Sequence, residues 1–133
     1  MQEWPLGQLA LKCHSLQTLK LNYLYKTTAT NRSRLLEFAG RAIPSSRCFN
    51  TLYIWETKSS VSDGAQFLQA LAESECNQLT SITISYEKKW FRNTEECMGP
   101  LLTFLAKQTG LQTLKMMNNS LSCLLYTSPS PRD

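Results

Sequence analysis

Apolar side chains recur along this chain in two rhythms. In four short stretches they alternate with polar ones. Leu19 and Leu21 are set against Thr18, Lys20 and Asn22; Leu52 and Ile54 against Thr51, Tyr53 and Trp55; Ile82 and Ile84 against Ser81, Thr83 and Ser85; Leu114 and Met116 against Thr113, Lys115 and Met117. A period of two predicts four strands, each with one buried face. Between the strands the apolar spacing lengthens to that of a helix. Leu35, Leu36, Phe38, Ala39 and Ala42 predict a helix over 33–42, with Glu37 placed to pair with Arg41 one turn on. Ser60-Val61-Ser62-Asp63 reads as a helix start, followed by Phe67, Leu68, Leu71 and Ala72 on one side. Thr94, Glu95 and Glu96 place acids at the positive end of a third helix, striped by Met98, Leu101, Leu102 and Leu105. Pro100 must either kink that helix or belong to its first turn. Residues 7–12 read as the last turns of an earlier helix.

The strands also share a sequence. LQTLK occurs at 16–20 and again at 111–115, within LQTLKLNYL (16–24) and LQTLKMMNN (111–119). FNTLYIWET (49–57) and LTSITISYE (79–87) are weaker copies, and all four read apolar-x-x-apolar-x-apolar. Their anchors, Leu16, Phe49, Leu79 and Leu111, stand 33, 30 and 32 residues apart. A near-constant step marks one structural slot used four times. Strand, helix, strand implies parallel strands joined by crossovers. A doubly wound sheet buries both faces and needs continuous apolar strands. Here one face carries Thr, Lys, Asn, Ser and Tyr, which favours a curved solenoid with helices on one side only.

The pattern L-x-x-L-x-L followed by a helix resembles the leucine-rich repeat, of the long, helix-backed kind found in ribonuclease inhibitor and in many F-box substrate receptors. The likeness covers roughly residues 5–121. It departs from the family in repeat length, which exceeds the usual ~20–29 residues. It also departs at the Asn or Cys expected three residues after the last leucine: Asn119 fits, whereas Leu24, Thr57 and Glu87 do not. The resemblance implies an α/β leucine-rich-repeat horseshoe of about four strand–helix repeats, with a parallel sheet on the concave face and helices on the convex face. It further implies a noncatalytic protein-binding module, or else a regulator of an enzyme. The regulator would be a ubiquitin-ligase substrate receptor, though the chain carries no F-box segment, or a GTPase-activator-like repeat domain, for which Arg32 and Arg92 are the only arginines on strand-to-helix loops. One unit cannot bury its apolar face alone, so four are close to a minimum. Residues 1–121 are therefore read as a solenoid and as a fragment of a longer array. Residues 122–133 break the repeat. CLLYTSPSPRD resembles translated sequencing adapter found at the ends of unrelated transcripts, and is expected to be a disordered, non-native tail.

Composition narrows the chemistry. The 133 residues suit one domain, and 42% hydrophobic against 18% charged content reads as globular. A net charge of +4 is too dispersed for a nucleic-acid footprint, and the densest basic group, Lys88, Lys89 and Arg92, reads as a solvated loop. No stretch is apolar enough to span a membrane, and the N-terminus lacks signal-peptide character. The five cysteines are then expected to be reduced, in an intracellular, cytoplasmic protein. Asn31-Arg32-Ser33 and Asn118-Asn119-Ser120 match the N-glycosylation tripeptide, which is expected to be idle there. His14 is the only histidine, which disfavours a zinc site and leaves only Cys13 a neighbouring base. Cys13 and Cys76, each three residues before an anchor, read as buried turn thiols. Glu95–Glu96 and the Glu73/Glu75 pair read as solubilising charge. Phosphate-binding and nucleophile-elbow motifs are lacking. Neither a cofactor nor a small-molecule substrate is expected.

What remains is the outward sheet face. Thr18, Thr51, Ser81 and Thr113 form one column, Lys20, Tyr53, Thr83 and Lys115 a second, and Asn22, Trp55, Ser85 and Met117 a third. Lys20, Asn22, Tyr53, Trp55, Thr83, Ser85, Lys115 and Met117 are the candidate partner-binding residues for another protein, with Tyr53 and Trp55 foremost because exposed aromatics concentrate binding energy. Single-stranded nucleic acid is a distant alternative through the same aromatics and lysines. The loop 86–93, with Trp90 and Phe91, either rims this surface or folds back onto the repeats.

Overall fold

The computed structural model describes residues 15–22, 24–92 and 95–117. Its repeat is written in the backbone hydrogen bonds. The carbonyl of Gln17 accepts from the N–H groups of Asn50 and Thr51, that of Asn50 from Thr80 and Ser81, and that of Thr80 from Gln112 and Thr113, all between 2.9 and 3.1 Å. The same forked bond thus joins each unit to the next.

Four strands follow from these anchors: β1 (Thr18–Asn22), β2 (Thr51–Trp55), β3 (Ser81–Ser85) and β4 (Thr113–Met117). They form one wholly parallel sheet in sequence order, β1-β2-β3-β4. Register aligns Lys20, Tyr53, Thr83 and Lys115 in one row, and Asn22, Trp55, Ser85 and Met117 in the next. The columns expected from the alternation are therefore real neighbours.

The crossovers are helical. Helix α1 (Ala29–Ser45) starts four residues before the expected position 33, and the Thr28 hydroxyl caps it by accepting the Asn31 N–H at 3.2 Å. It also runs past Ala42 through the fully buried Ile43, with Pro44 in its last turn. The Glu37–Arg41 pair forms on its exposed side at 3.4 Å. Helix α2 (Val61–Glu73) opens as expected, with the Ser60 hydroxyl accepting the Asp63 N–H at 3.1 Å. The turn 87–92 folds back, not outward: it forms a short helix, α3 (Lys88–Phe91), that buries Trp90 and Phe91 and leaves Lys88 and Lys89 exposed. Helix α4 (Met98–Ala106) begins after Glu95 and Glu96, and Pro100 sits in its first turn, where no N–H is missed. Thr94 and the expected helix over 7–12 lie outside the described residues, as do Cys13, His14, Asn119 and the tail 122–133.

Right-handed crossovers bring successive helices to the same side of a parallel sheet. α2 packs between α1 and α4. One core joins Leu36, Ala39 and Ile43 of α1, Phe67, Leu68 and Leu71 of α2, and Leu101 and Phe104 of α4 to Leu21, Leu52, Ile54, Ile82, Ile84 and Met116 of the strands. Leu114 departs from the expected buried face. It is 46% exposed, because β4 is an edge strand and among the described residues no helix follows to cover it.

Candidate binding face

The opposite face of the sheet is not backed by any described helix. Lys20, Asn22, Lys115 and Met117 are exposed there, and Tyr53, Trp55 and Thr83 are half-buried. Ser85 departs from the expectation. It lies between Trp55 and Met117 in the sheet, is fully buried, and its hydroxyl has no hydrogen-bond partner among the described residues. It is floor and not contact surface, because its small side chain sits between two large ones.

The aromatic residues cluster. Tyr53 and Trp55, two apart on β2, point the same way and stack with ring centroids 5.9 Å apart and planes within 5°. The Lys20 ammonium from β1 lies 5.8 Å from the Tyr53 centroid, a cation–π contact. Tyr86 completes the cluster, its ring 4.8 Å from that of Trp55 and tilted by 47°. Tyr86 was not among the candidates because it falls outside the alternating pattern. It reaches the face through a backbone bend: φ is 61° at Tyr86 and 49° at Glu56, the residues that follow β3 and β2 respectively. The bend repeats because each N–H finds the neighbouring strand's last carbonyl, Glu56 donating to Ser85 and Tyr86 to Met117, both at 3.0 Å. A non-glycine residue there is strained by roughly 1 kcal/mol or more.

Below the bend lies the slot where Asn or Cys was expected. Glu87 is 2% exposed, and its carboxylate accepts from the Thr57 N–H at 2.7 Å and the Thr57 hydroxyl at 3.0 Å, across consecutive units. Burial raises its pKa to about 7, opposed by the two Thr57 hydrogen bonds and assisted by the nearby Glu56 charge. A glutamate thus spans between consecutive units at this position.

Reactive groups are few. Burial raises the thiol pKa values of Cys76 and Cys97, the latter to about 12, so neither is a thiolate at neutral pH. Cys76 is the buried turn residue its spacing implied. Among the described residues no group of His, Cys, Asp and Glu is placed to hold a metal ion, and no helix is long and apolar enough to cross a membrane. Comparison with protein-family models, with curated proteins and with solved structures finds no match to this chain.

Proposed function

We propose that this chain is part of a leucine-rich-repeat solenoid that binds another protein on the concave face of its sheet, without catalysis. The observation that carries the reading is the cluster of Lys20, Tyr53, Trp55 and Tyr86 on a sheet face that no described helix covers. Large aromatic side chains held in place lose little entropy when a partner docks, which suits them to binding. The forked bond repeated at each unit boundary, and the bend repeated after β2 and β3, support the solenoid reading. Cys76 and Cys97, whose burial raises their thiol pKa values, are poor candidates for a nucleophile. A GTPase-activating role gains little from Arg32, whose guanidinium donates to the Thr27 carbonyl at the start of its own helix. An intracellular setting is part of the proposal, supported by the free thiols of Cys48, Cys76 and Cys97.

The test is a pair of truncations, Tyr53→Ala and Trp55→Ala, against Gln69→Ala on the exposed side of α2. Affinity for any protein that the wild-type chain binds is expected to fall by more than about 1 kcal/mol in the first two and to hold in the third. Unchanged affinity in both aromatic variants removes this face as the site.

A further inference from the structure

Resting on the reading of the open sheet face as the binding site, we propose that its ligand is an extended acidic peptide segment crossing the strands, with two carboxylates four residues apart held by Lys20 and Lys115. The two lysines are exposed and occupy one register row, Lys20–Tyr53–Thr83–Lys115. Three strand intervals of roughly 4.8 Å separate their backbone positions, about 14 Å in all. An extended peptide advances about 3.4 Å per residue and turns alternate side chains to one face, so residues i and i+4 lie about 14 Å apart on the same side. The side chain at i+2 then faces the sheet between Tyr53 and Thr83.

Charge points the same way. None of the outward strand positions carries an acid; Glu56 and Glu87, which follow β2 and β3 in sequence, lie beyond the strand ends, and Glu87 is buried. The face is therefore complementary to negative charge. Ring geometry favours a peptide over a nucleic acid. Tyr53 and Trp55 turn their faces toward each other, Tyr86 lies against Trp55, and the Lys20 ammonium lies over Tyr53. A base would have to displace one of these contacts to stack, whereas the ring edges, with two phenol hydroxyls and an indole N–H, offer donors to carbonyl and carboxylate oxygens.

The experiment is fluorescence anisotropy of the full chain with labelled octapeptides of one Ser/Thr background, bearing two glutamates at i,i+2, i,i+3 or i,i+4, at low salt. An oligouridylate of eight nucleotides is the competing probe. The i,i+4 peptide is expected to bind at least threefold tighter than the others. Lys115→Glu is expected to weaken it about three- to tenfold and to favour a peptide with lysine at i+4. Lys115→Gln gives the same direction without repulsion, and circular dichroism checks that each variant is folded. Equal affinity at all spacings, no binding by the i,i+4 peptide, or tighter binding of the oligonucleotide overturns the proposal. Binding indifferent to spacing yet lost in Trp55→Ala overturns the carboxylate spacing and leaves the face as the site; binding indifferent to both overturns both.

Discussion

The Glu87 carboxylate is clamped by the backbone N–H and the hydroxyl of Thr57, thirty residues earlier. Its pKa is raised from 4.5 to about 7 by burial. Between these values the folded chain holds a proton that the unfolded chain has released, so this group's contribution to stability falls as pH rises through the window and is flat above it. Glu87→Gln keeps the shape and removes the charge. Urea unfolding from about pH 5 to pH 8 is expected to show a flatter pH profile for the variant, and greater stability than wild type at pH 8 by about 1–3 kcal/mol. Parallel profiles contradict this.

Gly64 leaves room for Trp90. A Cβ built there stands 2.5 Å from the indole, which is fully buried and donates its N–H to the Ser59 carbonyl at 3.3 Å. Glycine to alanine in a helix normally stabilises by about 1 kcal/mol. Here the clash wins, and Gly64→Ala is expected to destabilise by about 1–3 kcal/mol. In a Trp90→Leu background the same change is expected to be neutral or stabilising. Additive effects in the double-mutant cycle would falsify the contact.

How much of this was legible follows from where each residue's neighbours come from. Alternation along the chain marked all four strands to the residue, because a half-buried strand imposes period two on its own sequence. The row Lys20–Tyr53–Thr83–Lys115 followed from the anchor spacing alone. Trp90 was ambiguous because its burial depends on Gly64, a helix away in sequence. Tyr86 was missed since a left-handed bend, not strand alternation, delivers its ring to Trp55. Ser85 looked exposed by alternation, yet its lateral neighbours are Trp55 and Met117. Leu114 looked buried by the same logic, but it stands on the edge strand.

Gln108 joins two units from a buried position. Its amide donates to the Cys76 carbonyl at 2.8 Å, and its oxygen accepts the Leu79 N–H at 3.0 Å. Gln108→Ala strands both backbone groups, and the expected loss is about 1–3 kcal/mol by chemical denaturation. A loss within experimental error would mean that water replaces the amide.

Thiol reactivity is expected to separate by burial. Cys48 is exposed, whereas Cys76 and Cys97 are buried with raised pKa values. Site-resolved alkylation at neutral pH is expected to modify Cys48 readily, and Cys76 and Cys97 only at the rate of unfolding. Rapid native labelling of Cys97 would place it outside the core.

The proposed binding face is tested most directly by photo-crosslinking from two exposed positions, Asn22 on the open side of β1 and Gln69 on α2. A benzophenone side chain at 22 is expected to capture the bound protein and one at 69 to capture none. Capture from 69 alone would contradict the open sheet face as the binding surface.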